Sequence, residues 1–515
     1  MHGGVRRKSL HLKPSSTCLR LNRCMNPKNL TRRTFVARTS AAIAGTVISS
    51  HSVYAVPATG PFQAMGTRAG EVTDTTAIVW TRLTAAPTRN NAGVVIPKRA
   101  KDEKKRGKSE VKVAVPVEQL EGACPGAPGR VQLRYGTRED LRDAKVTESA
   151  VASAENDFIC EFKLAGLKPG TVYHYASETP SPAGAPKATA FRGKFETAPA
   201  ADAPGNLRFC VMTCQGYPDR GHPDGHGIYP AMLAFKPQFT CLTGDLVYYD
   251  NNEPRAVTER LARYHWERMF SLPRLIEFNR NHSTYWLKDD HDTLSDDAWP
   301  GMTMGEFTFA EGQKIFRQQA PMNDDGPSYR TVRWGRDLQI WFTDGRDFRS
   351  KNKTQDGPEK TIWGAEQKAW FKRTVKESDA TWKVLVSPTP LVGPDRKNKN
   401  DNHSNLGFKH EGDEIRGWIK AHVPDHFFVV CGDRHWQYHS VHPETGVQEF
   451  SVGAASDEHA GGTPGYDPKF HRFHRVKGGF LAVTLQREGV KSRILFELRD
   501  VMGTVVYSWP VERAV

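Results

Sequence analysis

The sequence predicts an α/β fold in two parts, a small all-β domain followed by a larger layered domain in which sheets are flanked by helices. Three observations predict it. Between Pro61 and about Ala198, short alternating segments, "TAIVWTRL", "RVQLRYG", "FICEFKLAGLKPGTVYHYA" and "GKFETA", are separated by turn residues at the spacing of a small sandwich. Beyond Gly205 the runs "LRFCVMT", "QFTCLTG", "STYWLK", "LQIWFTD", "WKVLVSP" and "HFFVVCG" are apolar almost throughout. Stretches long enough for helices, such as "AVTERLARYHWERMFSL" and "GAEQKAWFKRTVKES", lie between them, which is the pattern of strands covered on both faces. The third is "APAADAPG", an Ala- and Pro-rich linker between the two rhythms.

The 515 residues suffice for two or three domains with a large core. A formal charge of +14 points to nucleic acid or a membrane until its distribution is taken into account. Residues 1–55 hold ten Lys and Arg and no Asp or Glu, so the remainder carries 62 basic against 58 acidic residues, a net of +4. No stable nucleic-acid complex is expected of that remainder. Within the basic segment, "TRRTFVARTSAAIAGTVISSHSVYA" sets Arg32 and Arg33 before an Ala-rich apolar stretch that ends in a small-residue cleavage site. This resembles a twin-arginine export signal, with Met1 and Met25 both standing as starts. It implies removal of residues 1–55, the twin-arginine translocase as a partner during export, and a periplasmic, cell-surface or secreted mature protein. No other run is apolar and long enough to span a bilayer.

The all-β part is expected over 56–200. Its "GLKPGTVYHYA" segment resembles the turn and following strand of a fibronectin type III-like domain, and "KRAKDEKKRGKSEVK", 98–112, interrupts it as a solvated insertion. The larger part is expected over 205–515, with the tail runs "GFLAVTLQ", "SRILFEL" and "TVVYSWPV" adding strands. Of eight cysteines, Cys18 and Cys24 fall in the removed segment. Cys210, Cys241 and Cys431 sit inside apolar runs as core, and Cys124 with Cys160 has the option of a bridge outside the cytoplasm.

The residues directly after each apolar run carry the chemistry. The first run ends in Cys214-Gln215, the second in "GDLVYYD" with Asp245 and Tyr248, the third in Asp289, Asp290 and His291, the fourth in "DGRDFR", and the sixth in "GDRHW" with Asp433 and His435. In an open α/β fold the ligand site lies at the carboxyl ends of the strands, so these groups should converge. The segment "YWLKDDHDTLSDD", Tyr285 to Asp297, holds five aspartates and one histidine with only Lys288 as a nearby cation. Crowded carboxylates raise one another's pKa unless a cation neutralises them, which points to bound metal.

The order "GDxxY", "DDHD", "GDxH" resembles the calcineurin-like metallophosphoesterases, and more closely the alkaline phosphatase D (PhoD) family, over the whole mature chain. The resemblance implies a layered β-sandwich catalytic domain flanked by helices. It also implies Cys214 as a thiolate ligand, Asp245 as a bridging ligand and Tyr248 as a phenolate ligand. Asp290, Asp433 and His435 complete the set, with Asp292, Asp296 and Asp297 as outer ligands. Thiolate, phenolate and imidazole suit iron and carboxylates suit calcium, so the implied cofactors are Fe(3+) and Ca(2+), with no organic cofactor. The implied activity is hydrolysis of phosphomonoesters, phosphodiesters or both by metal-activated water, releasing phosphate. Arg349, with Arg346 second, is expected to take up charge on the phosphoryl oxygens, and His291 to protonate the leaving oxygen. In "DNHSNLGFKHEGDEI", a loop expected over the site, His403 and His410 read as ordinary loop residues. The alternatives are a zinc or manganese phosphodiesterase or nucleotidase, and a cell-surface binding protein that has lost turnover.

Overall fold

The computed structural model describes residues 60–97, 113–179, 190–323 and 326–515; the export segment and the charged insertion lie outside the described residues. The six apolar runs that follow Gly205 are strands, buried apart from Arg208 and Gln339. Leu207–Met212, Phe239–Thr243 and Ser283–Leu287 pair in parallel. So do Leu338–Phe342, Trp382–Ser387, Phe427–Cys431 and Gln448–Val452. Around these two parallel cores form a nine-stranded and a seven-stranded sheet. The sheets pack face to face through Phe209, Phe239 and Tyr285 on one side and Trp334, Val384 and Phe428 on the other.

Helices cover the outer faces. Glu259–Phe270 and Phe309–Gln319 lie over the nine-stranded sheet through Trp266, Phe270 and Phe316. Each starts where a threonine accepts the hydrogen bond of a first-turn amide: Thr258 from Leu261, and Thr308 from Glu311 in a reciprocal capping box. Gly364–Glu377 and Lys409–His422 cover the seven-stranded sheet through Phe371, Ile415 and Ile419. The α/β class and the helix-flanked β-sandwich predicted from the sequence are therefore the architecture observed.

The N-terminal part is all-β, and its strands are not confined to a sandwich of their own. Thr67–Gly70, Ala77–Arg82 and Ile159–Leu164 extend the nine-stranded sheet, with Ala69 in parallel register opposite Ser283. A separate sheet built on Gly129–Gly136, Val172–Glu178 and Phe191–Glu196 closes over them around Val79, Leu133, Phe162 and Tyr175. At the seam, Arg82 donates to Asp157 at 2.9 Å and to Glu267 at 3.3 Å, tying an N-terminal strand to the helix Glu259–Phe270. The six cysteines of the described residues are buried free thiols. Cys124 and Cys160 form no bridge: Cys124 packs with the helical core and Cys160 with the N-terminal one.

Candidate metal centre

The three parallel strands Leu207–Met212, Phe239–Thr243 and Ser283–Leu287 lie side by side, so their carboxyl ends share one edge. The second sheet is stitched to that edge: Thr213 bridges to Ala454, and the Ala455 amide donates to the Cys214 carbonyl at 3.1 Å. The chain leaves the strands by sharp turns. Cys214, Asp245 and Asp433 all adopt left-handed backbone, at φ of 53°, 56° and 62°. Such a conformation costs an L-residue roughly 1–2 kcal/mol and persists only where surroundings impose it. Gly244 shows how tightly they do: a Cβ there would stand 2.6 Å from the Asp289 Cβ.

Donor atoms gather around Asp245. Those of Cys214, Asp245 and His435 lie within 4.8 Å of one another, as do those of Asp245, Asp290 and His291, and those of Asp245, Asp289 and Asp433. The Tyr248 hydroxyl donates to Asp245 Oδ2 at 3.2 Å, and the Cys214 thiol to the same oxygen at 3.4 Å. All six residues expected from the sequence as ligands, Cys214, Asp245, Tyr248, Asp290, Asp433 and His435, thus stand at one place. His291 joins them, its Nδ1 2.6 Å from Asp250 Oδ1 and its ring 4.5 Å from that of Tyr248.

The charge there is not balanced by hydrogen bonds. Asp245 Oδ1 and Asp289 Oδ2 are buried with no partner. Burial pushes the Asp245 carboxyl well above its usual range; His291 opposes the shift, and Asp290, Asp289 and Asp292 add to it. Burial likewise raises the Cys214 thiol and the Tyr248 phenol, both helped by Asp245. Asp289 is pushed to about 6 by burial, against the pull of Arg346. Buried acidic groups whose charged form is disfavoured, with oxygens that have no partner, are suited to cations that stabilise that form. Cys214 and Tyr248 share Asp245 Oδ2, His435 groups with Cys214 and Asp245, and Asp289 and Asp433 form a carboxylate group with Asp245, a mixed donor set that fits bound metal.

The other sequence-predicted residues take different places. Arg346 is buried against Asp289, 2.5 Å away, and lies 3.6 Å from Asp290. Arg349 donates to Asn352 at 2.7 Å and to the Asp401 carbonyl, with its guanidinium over Phe408. As the structure stands, both arginines are occupied by protein partners. Lys288, the one cation of the acidic segment, turns away from it to Asp344 and Asp347. Asp292 accepts from the amides of Leu246 at 3.1 Å and Asp289 at 2.6 Å, so it fastens the turn. Asp296 and Asp297 form a further group with Asp290, and Lys399 stands beside them. His403 is buried on Glu411 at 2.8 Å, and His410 is exposed.

Four contributors escaped the sequence reading: Asp289 as a donor, Asp250 behind His291, Lys399, and His459. His459 bonds Tyr248 at 2.9 Å through Nε2, is fixed by Asp219 at 2.8 Å through Nδ1, and lies 4.4 Å from the His435 ring. No local signal marked it: the strand before it, Gln448–Val452, alternates polar Glu449 and Ser451 with Phe450 and Val452, and His459 comes well after its end.

Carboxylates, a thiol and imidazoles converging at the carboxyl ends of parallel strands define a hydrolytic metal centre as the class of site. A family model described as PhoD-like phosphatase matches residues 209–477, and one described as the PhoD-like phosphatase N-terminal domain matches residues 50–199. The chain belongs to the PhoD-like phosphatase family and is a metal-dependent phosphoesterase. Among solved structures it is similar to one described as "Structure of PhoD", with 17% identity and a TM-score of 0.66, over 89% of this chain and 91% of that one. It is also similar to the purple acid phosphatase PPD1 of yellow lupin, Lupinus luteus, with 12% identity and a TM-score of 0.57, over 87% of this chain and 74% of that one. No curated protein matches the chain.

Proposed function

We propose that the chain is an exported phosphoesterase that cleaves phosphomonoesters, phosphodiesters or both. In this reading Cys214, Tyr248, Asp245 and His435 would hold iron, and Asp245, Asp289, Asp290 and Asp433 calcium. The observation that carries it is Asp245, a buried carboxylate with one unpartnered oxygen shared by three groups of donors. When bound, such ions supply Lewis acidity, lowering the pKa of water and offsetting charge on phosphoryl oxygens.

The chain's own residues prepare that chemistry. His459, whose Nδ1 faces Asp219, sets its Nε2 2.9 Å from the Tyr248 hydroxyl and so fixes the phenol beside Asp245. Arg346 fixes one oxygen of Asp289 and leaves the other facing the cluster. His291 is charged above its usual pH range: burial opposes the charge, and Asp250, Asp290 and Asp245 outweigh it. Held by Asp250, it stands as the proton donor to a departing alkoxide. Arg349 acts by holding the Asp401 loop in place. Export rests on the Arg32-Arg33 segment, and Lys at both positions should retain the protein in the cytoplasm.

The function is tested by hydrolysis of nitrophenyl phosphate and bis-nitrophenyl phosphate before and after chelation. Loss of turnover on chelation and its return with iron and calcium is the expected result; recovery with zinc alone would refute the iron assignment.

A further inference from the structure

Three of the four donor groups share Asp245; the fourth, Asp290 with Asp296 and Asp297, lies outward of them. Like the inner groups, where Arg346 pairs with Asp289 and Arg434 with Asp433, this outer group has a cation of the chain's own, and here it is a lysine on a loop. Lys399 Nζ stands 3.4 Å from Asp297, 3.7 Å from Asp296 and 3.1 Å from Asp401, with its side chain 23% exposed. Asp290 Oδ2 accepts the Asp297 amide at 2.6 Å, and Asp290 Oδ1 lies 3.6 Å from Arg346.

The lysine is delivered by a braced loop. At the start of the loop the fully buried carboxylate of Glu449 accepts the amides of Leu391, Val392 and Gly393 at 2.6, 3.0 and 2.8 Å. Its middle is fixed by Arg434, which pairs with Asp395 and lies 3.5 Å from Asp401. Its far side is fixed by Arg349 on the Asp401 carbonyl and by His403 on Glu411. Such bracing spares Lys399 much of the side-chain and loop ordering that weakens surface ion pairs.

We propose that Lys399 is a tethered cation that takes the place of a metal ion at the outer group, so that the chain holds metal around Asp245, with Asp290 among its ligands, and no further ion shared by Asp290 with Asp296 and Asp297. This rests on the metal reading of the inner groups and narrows it, since the outer aspartates expected from the sequence as ligands become partners of a lysine. An ammonium on a fixed loop also keeps the outer rim closed at any calcium concentration, whereas an ion there would make it calcium-dependent.

The test is a difference between chains, read by isothermal titration with Ca²⁺ and elemental analysis. Lys399→Met should bind about one more Ca²⁺ per chain than the wild type, because a cluster of carboxylates loses its lysine, while Lys399→Arg should bind the same number as the wild type. Asp296→Asn, at a side chain 64% exposed, should leave the wild-type metal content unchanged. Equal calcium content in wild type and Lys399→Met, or loss of an ion in Asp296→Asn, would overturn the proposal. A wild type without iron would instead overturn the inner-group reading, and the comparison between the variants would still stand. Should Lys399→Met fail to fold, Asp296→Asn and Lys399→Gln carry the same decision.

Discussion

At the seam, Arg82 sits between Asp157 and Glu267, and Arg260 and Arg263 reach the same two carboxylates at 2.9 and 3.3 Å. At the strand ends Asp245, Asp289, Asp290 and Asp433 crowd together with Arg346 beside Asp289 and Asp290 and Arg434 beside Asp433, and one buried oxygen of each of the four accepts no hydrogen bond. The seam is buried charge neutralised by the chain; the strand ends are buried charge left for cations from solution. Burying an ion costs several kcal/mol unless it is paired, so the first cluster stabilises the fold as it is and the second stabilises it only when loaded. The outer group with Lys399 stands between the two.

The contrast is broken most sharply at Asp245. Asp245→Asn removes the ligand common to three groups, and kcat should fall by about a thousand-fold or more. The same change removes a carboxyl that burial disfavours in its charged form, at a cost to the metal-free fold near neutral pH, so the metal-free variant should melt above the metal-free wild type by calorimetry. A lower melting temperature would mean that Asp245 is satisfied by the chain alone. Arg82→Met works in the opposite sense. It removes the shared partner of two buried carboxylates, which keep Arg260 and Arg263, and should cost about 1–3 kcal/mol in denaturant unfolding, with metal content unchanged.

A smaller effect is expected one step out. Asp250→Asn weakens the hold on His291 without touching a donor group, and should lower turnover about 10- to 100-fold while iron and calcium stay in place. The mildest prediction concerns pH. The Asp245 carboxyl, Cys214 thiol and Tyr248 phenol are all raised by burial, so without metal they hold protons that a cation must displace. Metal affinity should therefore rise with pH, and titration in buffers of different ionisation enthalpy should report protons released on binding. Equal affinity across the neutral range would remove the electrostatic argument for the site.

The strands and their carboxyl-end residues were legible because parallel strands buried on both faces leave long apolar runs that stop where the site begins. The joining of the N-terminal strands to the catalytic sheet was not. Ala69 and Ser283 pair across more than two hundred residues, and nothing local in either segment announces the other. Partners of individual charges were equally hidden. Lys288 lies beside the aspartates in sequence, yet the turn sends it to Asp344, and the cation that reaches Asp297 comes from Lys399 on a distant loop. Arg346 and Arg349 read as substrate groups because a sequence shows an arginine without showing what it already holds.

The central claim is that the strand-end carboxylates are neutralised by bound metal. The direct measurement is elemental analysis of the purified mature chain alongside its rate of phosphoester hydrolysis. The account predicts about one iron with calcium beside it in active protein, and none of either after chelation has abolished turnover. A folded chain that turns over at full rate with no metal present would contradict it.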